Sequence, residues 1–256
     1  MGVVNIRSDD FDVRYQKAKE QLSEIEKGKK ALSLEDYQKV SDLLGGVIKN
    51  ETNNPVYKAY LDTNALTIEH ILPRKEEYPD RASDWDNFLL ACHSCNSSKG
   101  SKAPLSPYRD MYYWPHLHNT ALAFEYGTAL PFVKPSDILN RTQRAKAIRL
   151  IRLYRLNKQV TVFGESDPRW LEKMQTLKYA IDSLIEYHHK QITLDTIVRL
   201  ACSSGFISIW LTVFTDVVAV KRSLISCSAF HLNGSNFFDD QLEPVARNPD
   251  DIIDPV

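Results

Sequence analysis

Residues 66–100, LTIEHILPRKEEYPDRASDWDNFLLACHSCNSSKG, decide how this chain is read. Residues 65–68 are short, apolar and β-compatible, and predict a strand that delivers Glu69 and His70 at its end. Adjacent residues of a strand point to opposite faces, so these two converge on one ligand only where the strand ends or twists. Pro73 supplies such an ending. After a loop rich in Arg, Glu, Pro, Asp and Ser, Trp85-Asp86-Asn87 leads into a second apolar run, residues 88–91, able to pair with the first as a hairpin. Residues 93–99 suit a turn and then a short helix, on which Asn96 and Lys99 share a face. The order strand, loop, strand, helix is expected to gather Glu69, His70, Asn87, Asn96 and Lys99.

The combined pattern is a Glu-His pair, a Pro, Trp-x-Asn and then CxxCN-x-x-KG. It resembles the HNH endonucleases, whose ββα-metal core carries an acidic-His pair on the first strand, an Asn in the connecting loop and a His or Asn on the helix. With Asn96 in the third position it resembles an HNN variant. A lone surface Glu-His pair or a lone CxxC is weak evidence, and it is the joint order and spacing that is specific. The resemblance implies a metal-dependent nuclease, an expectation to set beside that of a non-catalytic relic fold.

Each residue type has a chemical reason to be there. Cleaving a phosphodiester needs a base for water, a cation on the phosphate and stabilisation of the leaving oxygen. An imidazole titrates near neutral pH, which makes His70 the expected base. Glu69 and Asn96 offer oxygen donors, so the expected cation is Mg²⁺ or Mn²⁺, bound weakly without DNA. Asn87 is expected to lock the loop and orient His70 through hydrogen bonds. Lys99 is expected to reach a phosphate, within a basic set of Arg74, Lys75, Lys99, Lys102 and Arg109 in or beside the motif.

Many HNH proteins hold a structural zinc with two CxxC pairs, whereas here Cys92-x-x-Cys95 has no cysteine before it. Structural zinc takes four ligands, so Cys92 and Cys95 are candidates for a site that is not expected to form. His93 reads as a polar turn residue, and His116-x-His118 has the wrong spacing for a finger in surroundings, Tyr112-Tyr113-Trp114-Pro115, that look like packing. Cys202 and Cys227 fall in apolar segments, where buried free thiols are common.

A net charge of −1 does not advertise nucleic-acid binding. Charge distribution says more, because residues 138–164 hold seven Lys or Arg and no acid. Arg149, Arg152, Arg155 and Lys158 recur every third residue, a drifting stripe that fits either a DNA backbone or a solvated helix face whose Arg stems cover apolar surface. Four cysteines without a paired framework, and no signal peptide at Met1, fit a reducing cytoplasm. The apolar run 206–214 is too short to span a bilayer and reads as a buried helix, so no membrane association is expected.

The expected fold class is α+β and mostly helical, a small ββα-metal core embedded between N-terminal and C-terminal helical segments. The expected division is 1–54 as a helical segment, 55–135 as the nuclease core with an aromatic extension, 136–232 as a helical domain and 233–256 as a mobile tail. Residues 9–29 predict a helix. Ser33 with Asp36 predicts the cap of a second, running to Leu44 and ended by Gly45-Gly46. Asp167-Pro168 predicts another helix start. Trp170, Met174, Leu177, Ile181, Leu184 and His188 then form an apolar seam for core packing or a partner helix. Thr193 starts the next helix, Gly205 interrupts it, and Asp216 breaks the segment that follows.

A central HNH core with helical flanks and the run GFISIWLTVFTD also resembles the PtuB-type nuclease subunits of Septu anti-phage systems, encoded beside an ATPase. That resemblance implies DNA, double-stranded, as substrate and a PtuA-like ATPase as partner, with the seam and the tail as candidate docking surfaces. A homodimer or mixed complex is expected, because one HNH site makes a double-strand cut only as two protomers or in two nicks. A stand-alone restriction-type nuclease and an inactive DNA- or protein-binding adaptor are the other readings.

Overall fold

The computed structural model describes residues 11–27, 32–52, 66–73, 78–102, 108–159, 168–230 and 237–247, together with Asp254 and Val256. The fold is α+β and mostly helical, with two small two-stranded sheets among the described residues. The chain forms two compact units interleaved in sequence. One comprises Met1–Asp62, Tyr126–Phe132 and Gln159–Glu243, and the other Thr63–Glu125, Val133–Lys158 and Pro244–Val256.

The first unit is helical. Helix α1 is Phe11–Glu26 and α2 is Leu34–Thr52. As expected, Ser33 and Asp36 cap α2 reciprocally: Ser33 Oγ accepts from the Asp36 N–H at 3.2 Å, and Asp36 Oδ2 accepts from the Ser33 N–H at 3.0 Å. Gly45-Gly46 does not end the helix. A Cβ on Gly45 would lie 2.8 Å from Lys178 Cε, so this glycine serves the close passage of a Lys178 side chain from the long helix α6, Pro168–His188. The α6 residues Trp170, Met174, Leu177, Ile181 and Leu184 are buried in the core shared with α1 and α2. The seam is therefore interior rather than a docking face, and only its last member, His188, is exposed.

Thr193 caps the helix Leu194–Ser204, and Gly205, at φ +70°, breaks the chain before the helix Ile207–Val213. A second break precedes the helix Val218–Ser226. Ile209, Trp210, Val213 and Phe214 lie in the same core, so the GFISIWLTVFTD run is interior. Cys202 and Cys227 are not buried thiols. Cys202 is exposed and its Sγ stands 3.4 Å from that of Cys227. Among the described residues no helix is long and apolar enough to cross a membrane.

The second unit holds the motif. Strands β1, Leu66–His70, and β2, Phe88–Cys92, pair antiparallel from Leu66↔Cys92 to His70↔Phe88, and the helix α3, His93–Lys99, packs on both. The Cys92 sulfur caps α3 by accepting the Cys95 N–H at 3.4 Å, and Gly100, at φ +54°, ends it. A single helical turn, α4, Thr120–Ala123, follows under an Asn119 cap. The helix α5, Arg141–Leu153, begins with a full capping box between Asn140 and Gln143. It belongs with the ββα core rather than with the C-terminal helices, because Leu150, Leu153 and Tyr154 join Ile71 and Trp114 in one cluster. Helix α5 stops at Leu153 and Arg155 turns to φ +49°, so the basic stripe does not continue to Lys158 on a helix.

The aromatic extension packs as expected, with Tyr113 and Trp114 buried. Within the segment expected to be a mobile tail, the described residues Asp254 and Val256 are buried. Val256 joins a cluster with Tyr113, Leu139 and Ala147, and Asp254 accepts from the Tyr113 hydroxyl at 2.8 Å and pairs with Lys146.

Candidate active site

Three side chains grip the strand end that carries the Glu-His pair. Asn87, fully buried, accepts the Leu72 N–H at 2.7 Å through Oδ1, and its amide donates to the carbonyls of Leu72 at 3.0 Å and Arg81 at 3.1 Å. Asn96 on α3 donates to Thr67 Oγ1 and to the Ile68 carbonyl, each at 3.1 Å. Lys99, one turn further, places Nζ 2.7 Å from Glu69 Oε1 and also donates to the His70 carbonyl.

Lys99 thus contradicts its expected role. At 1% exposure it cannot reach a phosphate; it neutralises Glu69, itself 2% exposed. The spacing does put Lys99 on one face with Asn96, but that face is turned onto the hairpin. Lys102 is exposed and remains available to DNA. Arg74 and Lys75 lie outside the described residues, as does the side chain of Arg109.

The alternation of β1 separates the pair. Thr67 and Glu69 face α3, whereas His70 meets the Phe88 ring edge to face, centroids 5.1 Å apart, on the face that also carries the exposed Ile68. His70 is the last residue of the strand, and its Nε2 lies 3.0 Å from the Ala82 carbonyl. A carbonyl only accepts, so Nε2 is the donor, and in the neutral ring Nδ1 is the nitrogen with the lone pair. Asn87 does not touch the ring. It fixes the Arg81 carbonyl, one residue before the carbonyl that orients it.

Burial pushes the Glu69 carboxyl above its ordinary range, against the opposing pull of Lys99. Its second oxygen, Oε2, is buried with no hydrogen-bond partner. Asn96 spends its amide hydrogens on Thr67 and Ile68, which leaves Oδ1 as its acceptor. An orphaned carboxylate oxygen and an amide oxygen fit a hard cation in kind. The Lys99 charge weakens that site, and among the described residues no three His, Cys, Asp or Glu side chains group around a metal position.

The Cys92 sulfur caps the start of α3. His93 lies exposed against Ser97, and His118 accepts the Trp114 N–H at 2.9 Å through Nδ1, a packing role. What sequence reasoning missed is Trp85. The Trp-x-Asn signal draws attention to its asparagine, yet the indole is exposed on the solvent side of the hairpin.

Residues 57–102 match the family model of the HNH endonucleases. No curated protein and no solved structure matches the chain. The match supports an HNH domain over this segment, and with it a nuclease that acts on DNA and uses a divalent metal.

Proposed function

We propose that the chain is a DNA endonuclease in which His70 Nδ1 takes the proton from the attacking water, and Glu69 Oε2 and Asn96 Oδ1 hold one Mg²⁺ or Mn²⁺ ion, the two faces of β1 meeting one phosphate across the strand end at which His70 is the last residue. The observation that carries the reading is the hydrogen bond from His70 Nε2 to the Ala82 carbonyl, which in the neutral ring makes Nδ1 the lone-pair nitrogen. As water attacks phosphorus and passes its proton to Nδ1, a P–O bond forms and the ester P–O bond to the leaving oxygen breaks. The bound ion would offset the phosphate charge and stabilise the leaving oxygen. Asn87 acts by positioning, since it is buried and holds the loop that presents the Ala82 carbonyl. Lys102 contributes backbone attraction on the same unit.

An anti-phage role beside an ATPase is the finer reading, supported by the resemblance of the chain's segment order to Septu nuclease subunits. The interior position of the apolar seam and of the GFISIWLTVFTD run directs any partner to other surfaces.

The test is nicking of supercoiled plasmid by the purified chain with Mg²⁺, Mn²⁺, Zn²⁺ or EDTA. Cleavage that needs Mg²⁺ or Mn²⁺ supports the proposal. Discrete fragments would favour a stand-alone restriction-type enzyme. Metal-independent binding without cleavage, alone and with a candidate ATPase partner, would favour an adaptor.

A further inference from the structure

Of the four tryptophans, Trp114, Trp170 and Trp210 are at 0% exposure and Trp85 is at 83%. Leaving an indole in water forgoes the stabilisation that burying so large an apolar surface brings, and it leaves the ring face available to a partner outside the fold. It sits in the short 3-10 turn Trp85–Asn87, whose last residue is the buried Asn87 that locks the loop. The backbone beneath the ring is held by the three hydrogen bonds that Asn87 makes.

Trp85 is also continuous with the candidate active site. Its ring meets Phe88 edge to face at 6.3 Å, and Phe88 meets His70 in the same way at 5.1 Å. Two such ring contacts reach at most about 11 Å, the scale of one to three nucleotides, which lie about 3.4 Å apart along a stacked strand and further apart when unstacked. Ile68, at 59% exposure and two residues before His70, adds apolar surface on the same face of β1.

We infer that Trp85 is a stacking platform for an unpaired nucleobase one to three nucleotides from the phosphodiester that His70 addresses. The inference rests on the reading of the hairpin as a nuclease site and gives that site a preference among DNA structures. A base offers its π-face to a side chain only when it is unstacked from its neighbour, as in a single strand, a bubble or a frayed end. The charges beside the ring agree. Asp84 is paired with Arg81 at 2.7 Å, and Asp86 leaves an exposed carboxylate, which disfavours a phosphate at the indole and leaves the base as the part of a nucleotide that fits.

Binding is measured in EDTA by fluorescence anisotropy, in a His70→Ala background, with an intact duplex and with the same duplex carrying a short central bubble. The expected result is tighter binding to the bubble, a loss of about tenfold or more in that affinity with Trp85→Ala, and retention of most of it with Trp85→Phe. Abasic nucleotides in the bubble should weaken binding when Trp85 is present and make no difference with Trp85→Ala. Equal affinities for Trp85 and Trp85→Ala proteins on both DNAs would overturn the inference, as would an equal loss on duplex and bubble, or no binding to either DNA. A shift in self-association on sedimentation with Trp85→Ala and unchanged DNA binding would assign the indole to a protein contact instead. Full nicking activity of His70→Ala would sink the base assignment while leaving this binding result to stand by itself.

Discussion

Lys99 Nζ lies 2.7 Å from Glu69 Oε1, with both side chains sealed from solvent. The pair ties the last turn of α3 to the end of β1, and the additional bond from Lys99 to the His70 carbonyl fixes the backbone on which the imidazole stands. Removing one partner of a buried pair leaves an uncompensated charge, which costs about 3–5 kcal/mol. Lys99→Ala is therefore expected to lower the urea midpoint sharply. The double variant Lys99→Met with Glu69→Gln, which leaves no buried charge, should recover much of the loss.

Asn87 makes three hydrogen bonds to the backbone on either side of the loop. Asn87→Ala leaves those buried groups unsatisfied, at about 1–3 kcal/mol for each group stranded. Because the Ala82 carbonyl is then free to move from His70, nicking should fall by about tenfold or more even at temperatures where the variant stays folded. Circular dichroism run beside the nicking assay separates the two effects. Asn87→Asp should not rescue activity, since a carboxylate cannot donate to the Leu72 and Arg81 carbonyls.

Acid should act on the second unit through Asp254. Burial opposes its ionisation, but Lys146, Tyr113 and Gln143 all donate to it and together hold the carboxyl below its ordinary value of 3.8. A depressed carboxylate adds stability that is present above the unfolded value and is lost as pH falls through the folded one. Wild-type stability should thus decline as pH drops below about 4, and Asp254→Asn should flatten that decline while lowering stability at pH 7. Chemical denaturation at a series of pH values measures both.

The neighbouring glycines of α2 should part company on substitution. Gly46 is exposed and a Cβ added there would meet nothing within 4 Å, so Gly46→Ala should stabilise by about 1 kcal/mol from helix propensity. Gly45→Ala should lose that gain, because its Cβ would press on Lys178, whose ammonium is held by Asp182 and Ser41. Thermal unfolding of the two variants makes the comparison.

Much of this was legible in the sequence where local pattern decides structure. The hairpin, the Ser33 and Thr193 caps and the break at Gly205 follow from short apolar β-compatible runs, capping chemistry and glycine, and the short helix expected within residues 93–99 forms, starting at His93 where a turn was expected. What the sequence hid depends on tertiary placement. Gly45-Gly46 reads as a stop until a Lys178 side chain is seen crossing it. Lys99 looks like a phosphate ligand until its face is seen turned onto Glu69. Residues 141–153 look like the start of a C-terminal helical domain until Leu150 and Leu153 are found on the ββα core. Trp85 enters the sequence reading only as part of the Trp-x-Asn signal, and its exposure is what marks it as a surface group.

The most direct measurement is the rate at which His70→Ala nicks supercoiled plasmid with Mg²⁺, beside the wild type and with and without added imidazole. If Nδ1 is the base, the variant should lose about two to four orders of magnitude, the range for a general base. Free imidazole should restore part of the activity, because the half-exposed ring position is open to solvent. A His70→Ala protein that nicks at the wild-type rate would contradict the assignment outright.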